Sequence, residues 1–362
     1  MGSSLPGWTW GVGMKKIIAV VFLMLLSGIL IVIGSIYISS QEKNKVERIK
    51  IGVSVYNQYD TFIASLMEQM KSCAVQKENE TDIEIIVDIV NAAGSQLEQN
   101  DQVEKFVNNG YDVICVNLVD RTDPTLIIDK AESAGIPIIF FNRELVPEDL
   151  KRYDKAYYVG AVTIEPGIIQ GEMIVDLLKK KKESVDKNAD NKIQYIMLEG
   201  EAGHQDAIIR TEYAVNTIVE NGIQVEKLDY ALANWNRDQG KSKMDKLIEE
   251  FGDKIEVIIS NNDDMALGAI DAYIDMQEIE NIPIIVGIDG TLTGLTAVKE
   301  GYLYGTAYND DIGQGRSLLE LSYALKTGQS LPEDIVMTEE KYIRYSYKKV
   351  TKENVEEFIR IH

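Results

Sequence analysis

The stretch Lys50–Tyr56 (KIGVSVY) is a short β-rich run, and it is followed by a polar loop, Asn57–Asp60 (NQYD). Thr61–Gln76 then has the apolar periodicity of a helix. A strand with apolar residues on both sides of its alternation is typical of a parallel sheet that is covered on both faces. This strand, loop and helix predict the first unit of a doubly wound α/β domain.

The same alternation of strand and helix continues to the end of the chain, with one restart near Ala156–Val159. We therefore predict an α/β protein with two doubly wound parallel-sheet lobes.

The N-terminal part of the sequence predicts a membrane signal. Lys15 and Lys16 precede an uncharged apolar run, Ile17–Ile38. As a helix this run would be about 33 Å long, which matches a hydrocarbon core of about 30 Å. The apolar part of a cleaved signal peptide has only about 7–15 residues. The length favours an uncleaved anchor over a cleaved signal, and the two lysines predict that residue 41 onward lies outside the cytoplasm.

The predicted N-terminal organisation has three parts. Residues 14–40 form the signal or membrane anchor, and residues 41–49 form a polar linker. Residues 1–13 are an upstream or added segment, so that either Met1 or Met14 is the natural start.

Composition excludes several classes of function. The 362 residues carry a formal net charge of −21, which disfavours binding to nucleic acid phosphates. Cys73 and Cys115 are far apart and lie in apolar surroundings, so we expect two buried free thiols rather than a disulfide. No fingerprint of a hydrolase, a P-loop or a dinucleotide site follows a predicted strand, so we predict no enzymatic activity.

Polar and aromatic residues collect just after the predicted strands. In open α/β sheets a ligand lies beyond the carboxyl ends of the strands. The candidate ligand-binding residues at these positions are Asp60, Phe62, Asn117, His204, Asp206, Arg210, Trp235, Asn262, Asp289 and Asn309. Each of them alone is more often a helix cap, a core residue or a surface charge, and the hypothesis depends on their occurring together.

The chemistry of this set favours a monosaccharide. Carboxylate, amide and guanidinium groups are planar and can pair with two neighbouring ring hydroxyls, and hydrogen bonds to charged groups are stronger than neutral ones. Phe62 and Trp235 offer flat apolar faces on which the C–H groups of a sugar ring can pack.

Longer stretches resemble the bacterial periplasmic galactose- and glucose-binding proteins of ABC transport and chemotaxis. The matching stretches include Ile51–Phe62 (IGVSVYNQYDTF), Gly200–Thr211 (GEAGHQDAIIRT), Lys254–Asp263 (KIEVIISNND) and Tyr308–Asp310 (YND). The resemblance implies a type I periplasmic binding protein fold, in which a multi-strand hinge joins the two lobes. The first lobe is then predicted to comprise residues 50–140 with 309–343, and the second lobe residues 141–308 with 344–362. The resemblance also implies an extracytoplasmic monomer that closes on glucose, galactose or a methyl galactoside. It also implies that all ten candidate residues contact the sugar.

Asp186–Gln194 (DKNADNKIQ) predicts a calcium loop. Asp186, Asn188, Asp190 and Gln194 occupy oxygen-donor positions 1, 3, 5 and 9, and Lys192 would supply its backbone carbonyl at position 7. The acidic residue expected at position 12 is missing, because Met197 stands there. The resemblance implies that Glu256 supplies the missing carboxylate and that the Ca²⁺ is structural.

Two roles remain open for such a receptor. It could deliver sugar to an ABC permease, or it could be a membrane-anchored sensor that presents bound sugar to a chemoreceptor or histidine kinase, as the apolar run suggests. A sugar-responsive transcription regulator is excluded, because its N-terminal DNA-binding helices would have to occupy the place of this run.

Overall fold

The computed structural model describes residues 48–362. The predicted upstream segment 1–13, the signal or anchor 14–40 and all but the last two residues of the linker 41–49 therefore lie outside the described residues. Between residues 48 and 362 no helix combines the length and the apolar character needed to span a membrane.

The first lobe is built on a parallel six-stranded sheet. Its strands are β1 (Arg48–Val55), β2 (Glu84–Asn91), β3 (Val113–Val116), β4 (Ile138–Phe141), β5 (Ala156–Ala161) and β11 (Tyr342–Tyr345). Its helices are α1 (Thr61–Thr81), α2 (Gln96–Asn108), α3 (Thr125–Ala134), α4 (Pro147–Lys151) and α10 (Asp311–Thr327). The strand order is β11-β5-β4-β3-β1-β2.

The second lobe repeats this arrangement. Its strands are β6 (Lys192–Glu199), β7 (Gln224–Leu232), β8 (Val257–Ser260), β9 (Ile284–Asp289), β10 (Gly305–Tyr308) and β12 (Lys348–Thr351). Its helices are α5 (Glu165–Lys180), α6 (Gln205–Glu220), α7 (Arg237–Phe251), α8 (Asp263–Asp275), α9 (Leu292–Glu300) and α11 (Val355–Ile359). The order is β12-β10-β9-β8-β6-β7, and only β12 pairs antiparallel.

Both faces of each sheet are covered by helices, as the apolar strands predict. In β3, Val113 and Cys115 pack into the cluster that contains Leu66 of α1, whereas Ile114 and Val116 pack against Phe106 of α2 on the other face. Burial on both faces explains why β3 is apolar throughout. Both cysteines are free thiols, and Cys115 is buried as expected, whereas Cys73 is only half-buried.

The structure places the boundary between the lobes later than the predicted position after residue 140. β5 pairs in parallel with β4, with Phe141 opposite Val159, so residues 141–161 belong to the first lobe. β11 pairs with β5 and carries the first lobe on to Tyr345 rather than residue 343. The sequence could not reveal this, because an apolar strand has the same pattern in either parallel sheet.

The chain crosses between the lobes three times. The crossings follow β5, follow β10 and separate β11 from β12. They join two sheets that are otherwise independent, and the carboxyl ends of the central strands of both sheets lie at the cleft between the lobes.

Candidate functional site

A cleft with about 360 Å³ of empty volume lies between the two lobes. This volume includes space that is open to solvent. Its lining consists of Tyr56, Asp60, Phe62, Asn142, Arg143, His204, Asp206, Arg210, Trp235, Asn262 and Asp289. The structure thus brings together eight of the ten residues that the sequence singled out.

Asp60 is held in place by its own lobe. One carboxylate oxygen accepts a hydrogen bond from the backbone N–H of Ile63 (3.0 Å), which caps α1. The other oxygen accepts from the Tyr56 hydroxyl at 2.5 Å. Burial, together with the neighbouring Asp60 charge, raises the pKa of Tyr56 well above its ordinary value, so Tyr56 remains a neutral donor. Phe62 follows in the first turn of α1 and is almost fully buried.

His204 caps α6 and presents a free donor to the cleft. Its Nδ1 accepts a hydrogen bond from the backbone N–H of Asp206 at 3.2 Å, so the proton of the neutral ring lies on Nε2. Nε2 is buried and has no hydrogen-bond partner within residues 48–362. Burial lowers the pKa of His204 to about 4, and the nearby Arg143 and Arg210 act in the same direction. A neutral imidazole N–H is therefore available for a ligand.

Arg210 and Asp289 are neighbouring ionisable residues in the lining of the cleft. Arg210 is buried and donates to the backbone carbonyl of Asn261 (2.7 Å) and to the Tyr347 hydroxyl (3.2 Å). Its Nη1 lies 4.0 Å from Asp289 Oδ1, too far for a direct hydrogen bond. Burial raises the pKa of Asp289, although Arg210 opposes that change. A bound hydroxyl could satisfy both groups at once.

The positions of Trp235 and Asn262 depend on the local backbone. Trp235 and Asn234 both have left-handed φ angles, 62° and 49°. Asn262 caps α8 through Met265 N–H (2.9 Å) and donates from Nδ2 to the Trp235 carbonyl (3.1 Å). A Cβ at Gly200 would lie 2.1 Å from the Trp235 ring, so glycine at that position leaves room for the indole.

Asn117 and Asn309 are buried but do not line the cleft. Asn117 Nδ2 donates to the Phe141 carbonyl and to Asn142 Oδ1, both at 3.2 Å. Asn309 Oδ1 accepts from Gln314 at 2.7 Å, and the residue lies in a smaller neighbouring cavity behind Arg210. The amide of Asn117 and the side-chain carbonyl oxygen of Asn309 are thus engaged within the protein, and a direct ligand contact by either residue remains a prediction.

Three residues of the cleft were missed by the sequence reasoning: Tyr56, Asn142 and Arg143. All three lie directly after a strand, Tyr56 after β1 and the other two after β4. The rule that selects residues beyond the carboxyl ends of strands would have found them. Asn142 has a left-handed φ of 61°, a conformation that asparagine adopts more readily than most residues.

The predicted calcium loop folds around Glu256. Glu256 accepts hydrogen bonds from the backbone N–H groups of Lys187 (2.7 Å) and Gln194 (3.1 Å). Gln194 and Asn188 also donate to Asp190 Oδ2 at 2.8 and 3.3 Å. The structure therefore brings all of the predicted donors, with Lys192 between Asp190 and Gln194, into one loop.

The donor types of this loop are those that a calcium ion prefers, but the structure does not arrange them as a metal site. Asp186 Oδ1 is buried and has no hydrogen-bond partner within residues 48–362, and Ca²⁺ prefers carboxylate, amide and carbonyl oxygens. Within the same residues no group of three or more His, Cys, Asp or Glu side chains is arranged as a metal site. The carboxylates of Asp186, Asp190 and Glu256 do not form such a group, so a calcium site in this loop remains a prediction.

Comparison with known proteins gives consistent matches. A family model described as a periplasmic binding protein domain matches residues 51–330. The D-galactose/methyl-galactoside binding periplasmic protein MglB of Haemophilus influenzae is 35% identical over 86% of this chain and 92% of its own. A putative rhizopine-binding protein of Rhizobium meliloti is 30% identical over 75% of this chain and 81% of its own.

A solved structure extends these matches to the fold. An ABC transporter solute-binding protein of Bacillus halodurans with bound myo-inositol superposes with a TM-score of 0.72 at 30% identity, covering 88% of this chain and 100% of that one.

Proposed function

Since this chain belongs to the periplasmic binding protein family, we propose that it is an extracytoplasmic receptor that closes its two lobes on one monosaccharide and delivers it to an ABC transporter. The observation that carries the proposal is the lining of the cleft. It combines planar polar groups from both lobes with two flat aromatic rings, Phe62 and Trp235.

Each part of the cleft suits a sugar ring. A pyranose hydroxyl can accept a hydrogen bond from the free Nε2–H of His204 and can lie between Arg210 and Asp289, which are 4.0 Å apart. The C–H faces of the ring would pack on Phe62 and Trp235. Binding would then bring the lobes together about the three crossings.

We propose D-galactose or D-glucose as the ligand. The Haemophilus influenzae relative is named for galactose and methyl galactoside, and the Bacillus halodurans structure holds myo-inositol, another six-membered ring with many hydroxyls. A site made of planar hydrogen-bonding groups rejects a ring that lacks a matching hydroxyl, because a buried group then remains unpaired.

A thermal-shift panel tests the ligand directly. The purified full chain is heated with galactose, glucose, methyl galactoside, ribose, xylitol or myo-inositol, because a ligand that binds only the folded state raises the melting temperature. Galactose or glucose should give the largest increase. No increase with either sugar at millimolar concentration would contradict the proposal, and a larger increase with myo-inositol would change the ligand.

We also propose that the receptor performs no chemistry on the sugar. Closure and release need only reversible hydrogen bonds and ring packing, so labelled galactose or glucose incubated with the protein should be recovered unchanged. Recovery of any modified product would contradict this proposal.

A structural Ca²⁺ in the loop Asp186–Gln194 is a further part of the proposal, supported by the unpaired oxygen of Asp186 and by Glu256 at the centre of the loop. Bound calcium would stabilise the second lobe in the folded state. Glu256→Gln should lower the melting temperature in calcium and change it much less in chelator. Glu356→Gln, at an exposed surface ion pair with Lys299 in the second lobe, is the control. The same change in both buffers for Glu256→Gln would contradict a calcium role.

The apolar run Ile17–Ile38 supports a second role, that of a membrane-anchored sensor for a chemoreceptor or histidine kinase. Deleting the gene separates the two roles, because loss of sugar uptake with intact sugar-responsive signalling excludes the sensor. Recovery of the full-length chain in the membrane fraction would support the anchor.

A further inference from the structure

Arg143 and Glu201 face each other across the cleft. Arg143 lies in the loop after β4 of the first lobe, and Glu201 lies in the loop after β6 of the second lobe. Arg143 Nη2 is 3.0 Å from Glu201 Oε1. We propose that this ion pair is an interlobe latch, which forms as the cleft closes and sets how long the closed, ligand-bound state lasts. This inference rests on the proposed function.

Arg143 is fixed by the first lobe without help from Glu201. Its side chain is 4% exposed, and Nη1 donates to the Val119 carbonyl at 2.9 Å. The guanidinium carbon lies 3.7 Å from the centre of the Tyr56 ring, a cation–π contact. Opening the cleft would leave these contacts in place. Arg143 is therefore a preorganised partner, and closure loses little side-chain entropy on that side.

Glu201 is held by its backbone rather than by its side chain. Its carbonyl accepts a hydrogen bond from His204 N–H at 3.1 Å, whereas its side chain is 36% exposed. The same loop contains Gly200, which abuts Trp235, and His204, which presents its free N–H to the cleft. An interaction that draws Glu201 towards Arg143 therefore also fixes the loop that carries His204 and abuts Trp235.

The latch also connects to the proposed ligand contacts of the first lobe. The ring of Tyr56 packs against Arg143, and its hydroxyl donates a hydrogen bond to Asp60, which lines the cleft. Thr61 donates to Asp264 across the lobes at 2.6 Å, and this second interlobe contact has no positive charge. Raising the salt concentration should therefore weaken the Arg143–Glu201 contact and have much less effect on the Thr61–Asp264 contact.

The test measures sugar dissociation from the full chain. Galactose or glucose release is followed by stopped-flow tryptophan fluorescence, using Trp235 in the cleft, at low and high salt. Glu201→Gln should release the sugar roughly 3- to 10-fold faster at low salt, because a partly exposed ion pair contributes little more than this. The association rate should change less, and raising the salt concentration should accelerate release from the wild type but not from Glu201→Gln.

The matched control is Glu144→Gln, next to Arg143 in sequence. Glu144 pairs with Arg344 within the first lobe, so its loss should leave the release rate unchanged. A double-mutant cycle with Arg143→Gln then measures the pair itself, since release from the double variant should be no faster than from Arg143→Gln alone. If Arg143→Gln does not fold, the release rates of Glu201→Gln and Glu144→Gln still test the latch by themselves.

The possible failures are distinguishable. If the wild type binds neither sugar, the proposed function fails and the latch fails with it. If the wild type binds and Glu201→Gln releases the sugar at the wild-type rate and with the same salt dependence, the latch alone is wrong.

Discussion

The first lobe lines the cleft with side chains that already have partners in their own lobe, whereas the second lobe also presents two groups, His204 and Asp289, that lack them. Asp60 accepts hydrogen bonds from Tyr56 and from the backbone of α1. In the second lobe, His204 Nε2 has no partner within residues 48–362, and Asp289 lies 4.0 Å from its nearest cation. The two sheets have equivalent strand orders. The two lobes thus share a strand order but differ in whether their cleft-lining side chains already have hydrogen-bond partners.

This difference suggests which lobe holds the ligand first. Buried polar groups without partners are costly, and a ligand that pairs with them recovers that free energy. We therefore expect the second lobe to gain most from binding and the first lobe to act mainly as a cover that excludes water. Substitutions in the second lobe should reduce affinity more than comparable substitutions in the first.

Arg210→Met should give the largest effect. Removing the guanidinium leaves the Asn261 carbonyl and the buried Asp289 without their cation. Loss of one partner of a buried charge pair typically costs about 2–5 kcal/mol of binding free energy. Calorimetry with galactose or glucose measures the loss. Arg237→Met removes an arginine of the same lobe that pairs with Asp271 outside the cleft, and should leave affinity unchanged. Equal losses for both variants would place the ligand elsewhere.

Trp235→Ala should have the next largest effect, a loss of about 1–3 kcal/mol of binding free energy from aromatic burial against the ring. Phe62→Ala in the first lobe should cost less, because the phenyl ring is smaller and belongs to the covering lobe. The two variants are compared by calorimetry after their melting temperatures confirm folding. A larger loss of binding free energy for Phe62→Ala than for Trp235→Ala would mean that the first lobe, and not the second, contributes most to sugar binding.

The sequence predicted the division into two parallel-sheet lobes, because buried strands and amphipathic helices have distinct periods. It also predicted most of the cleft, since parallel strands place their following residues at one edge of the sheet. Eight candidates, among them Asp60 and Trp235, lie together in the cleft for that reason.

The remaining features depend on contacts that no local pattern encodes. Asn117 follows a strand like the others, but its amide donates to Phe141 and Asn142, which are distant in sequence. The membership of β5 in the first sheet depends on pairing with β4, which burial alone does not specify. The free N–H of His204 follows from its capping of α6, a detail visible only with coordinates.

Asp60→Ala should produce a smaller loss of affinity, about 1–2 kcal/mol, because it removes a hydrogen-bonding group from the covering lobe. It also removes the cap of α1, so stability will fall as well. Ser95→Ala separates the two effects. Ser95 caps α2 through Glu98 N–H and lies outside the cleft lining, so its loss should lower stability alone. If Ser95→Ala weakens binding as much as Asp60→Ala does, the loss for Asp60 reflects folding and not contact.

The smallest effect concerns pH and tests the free donor of the second lobe. The pKa of His204 is lowered to about 4, below the ordinary value near 6.5 of the unfolded chain. The ring is therefore neutral in the folded protein from pH 8 down to about pH 5, and sugar affinity should be flat over that range.

The same lowered pKa affects the free energy of unfolding. Above about pH 6.5 the ring is neutral in both the folded and the unfolded chain, so His204 does not change stability. As the pH falls from 6.5 towards 4, the unfolded chain binds a proton that the folded protein does not, so His204 contributes to acid destabilisation in this window. His204→Asn keeps a capping side chain without a titrating ring, and its melting temperature should fall less steeply between pH 6.5 and 4 than that of the wild type. A wild-type affinity that drops around pH 6.5 would mean that His204 titrates normally, and the second lobe would then lose the neutral donor that distinguishes it from the first.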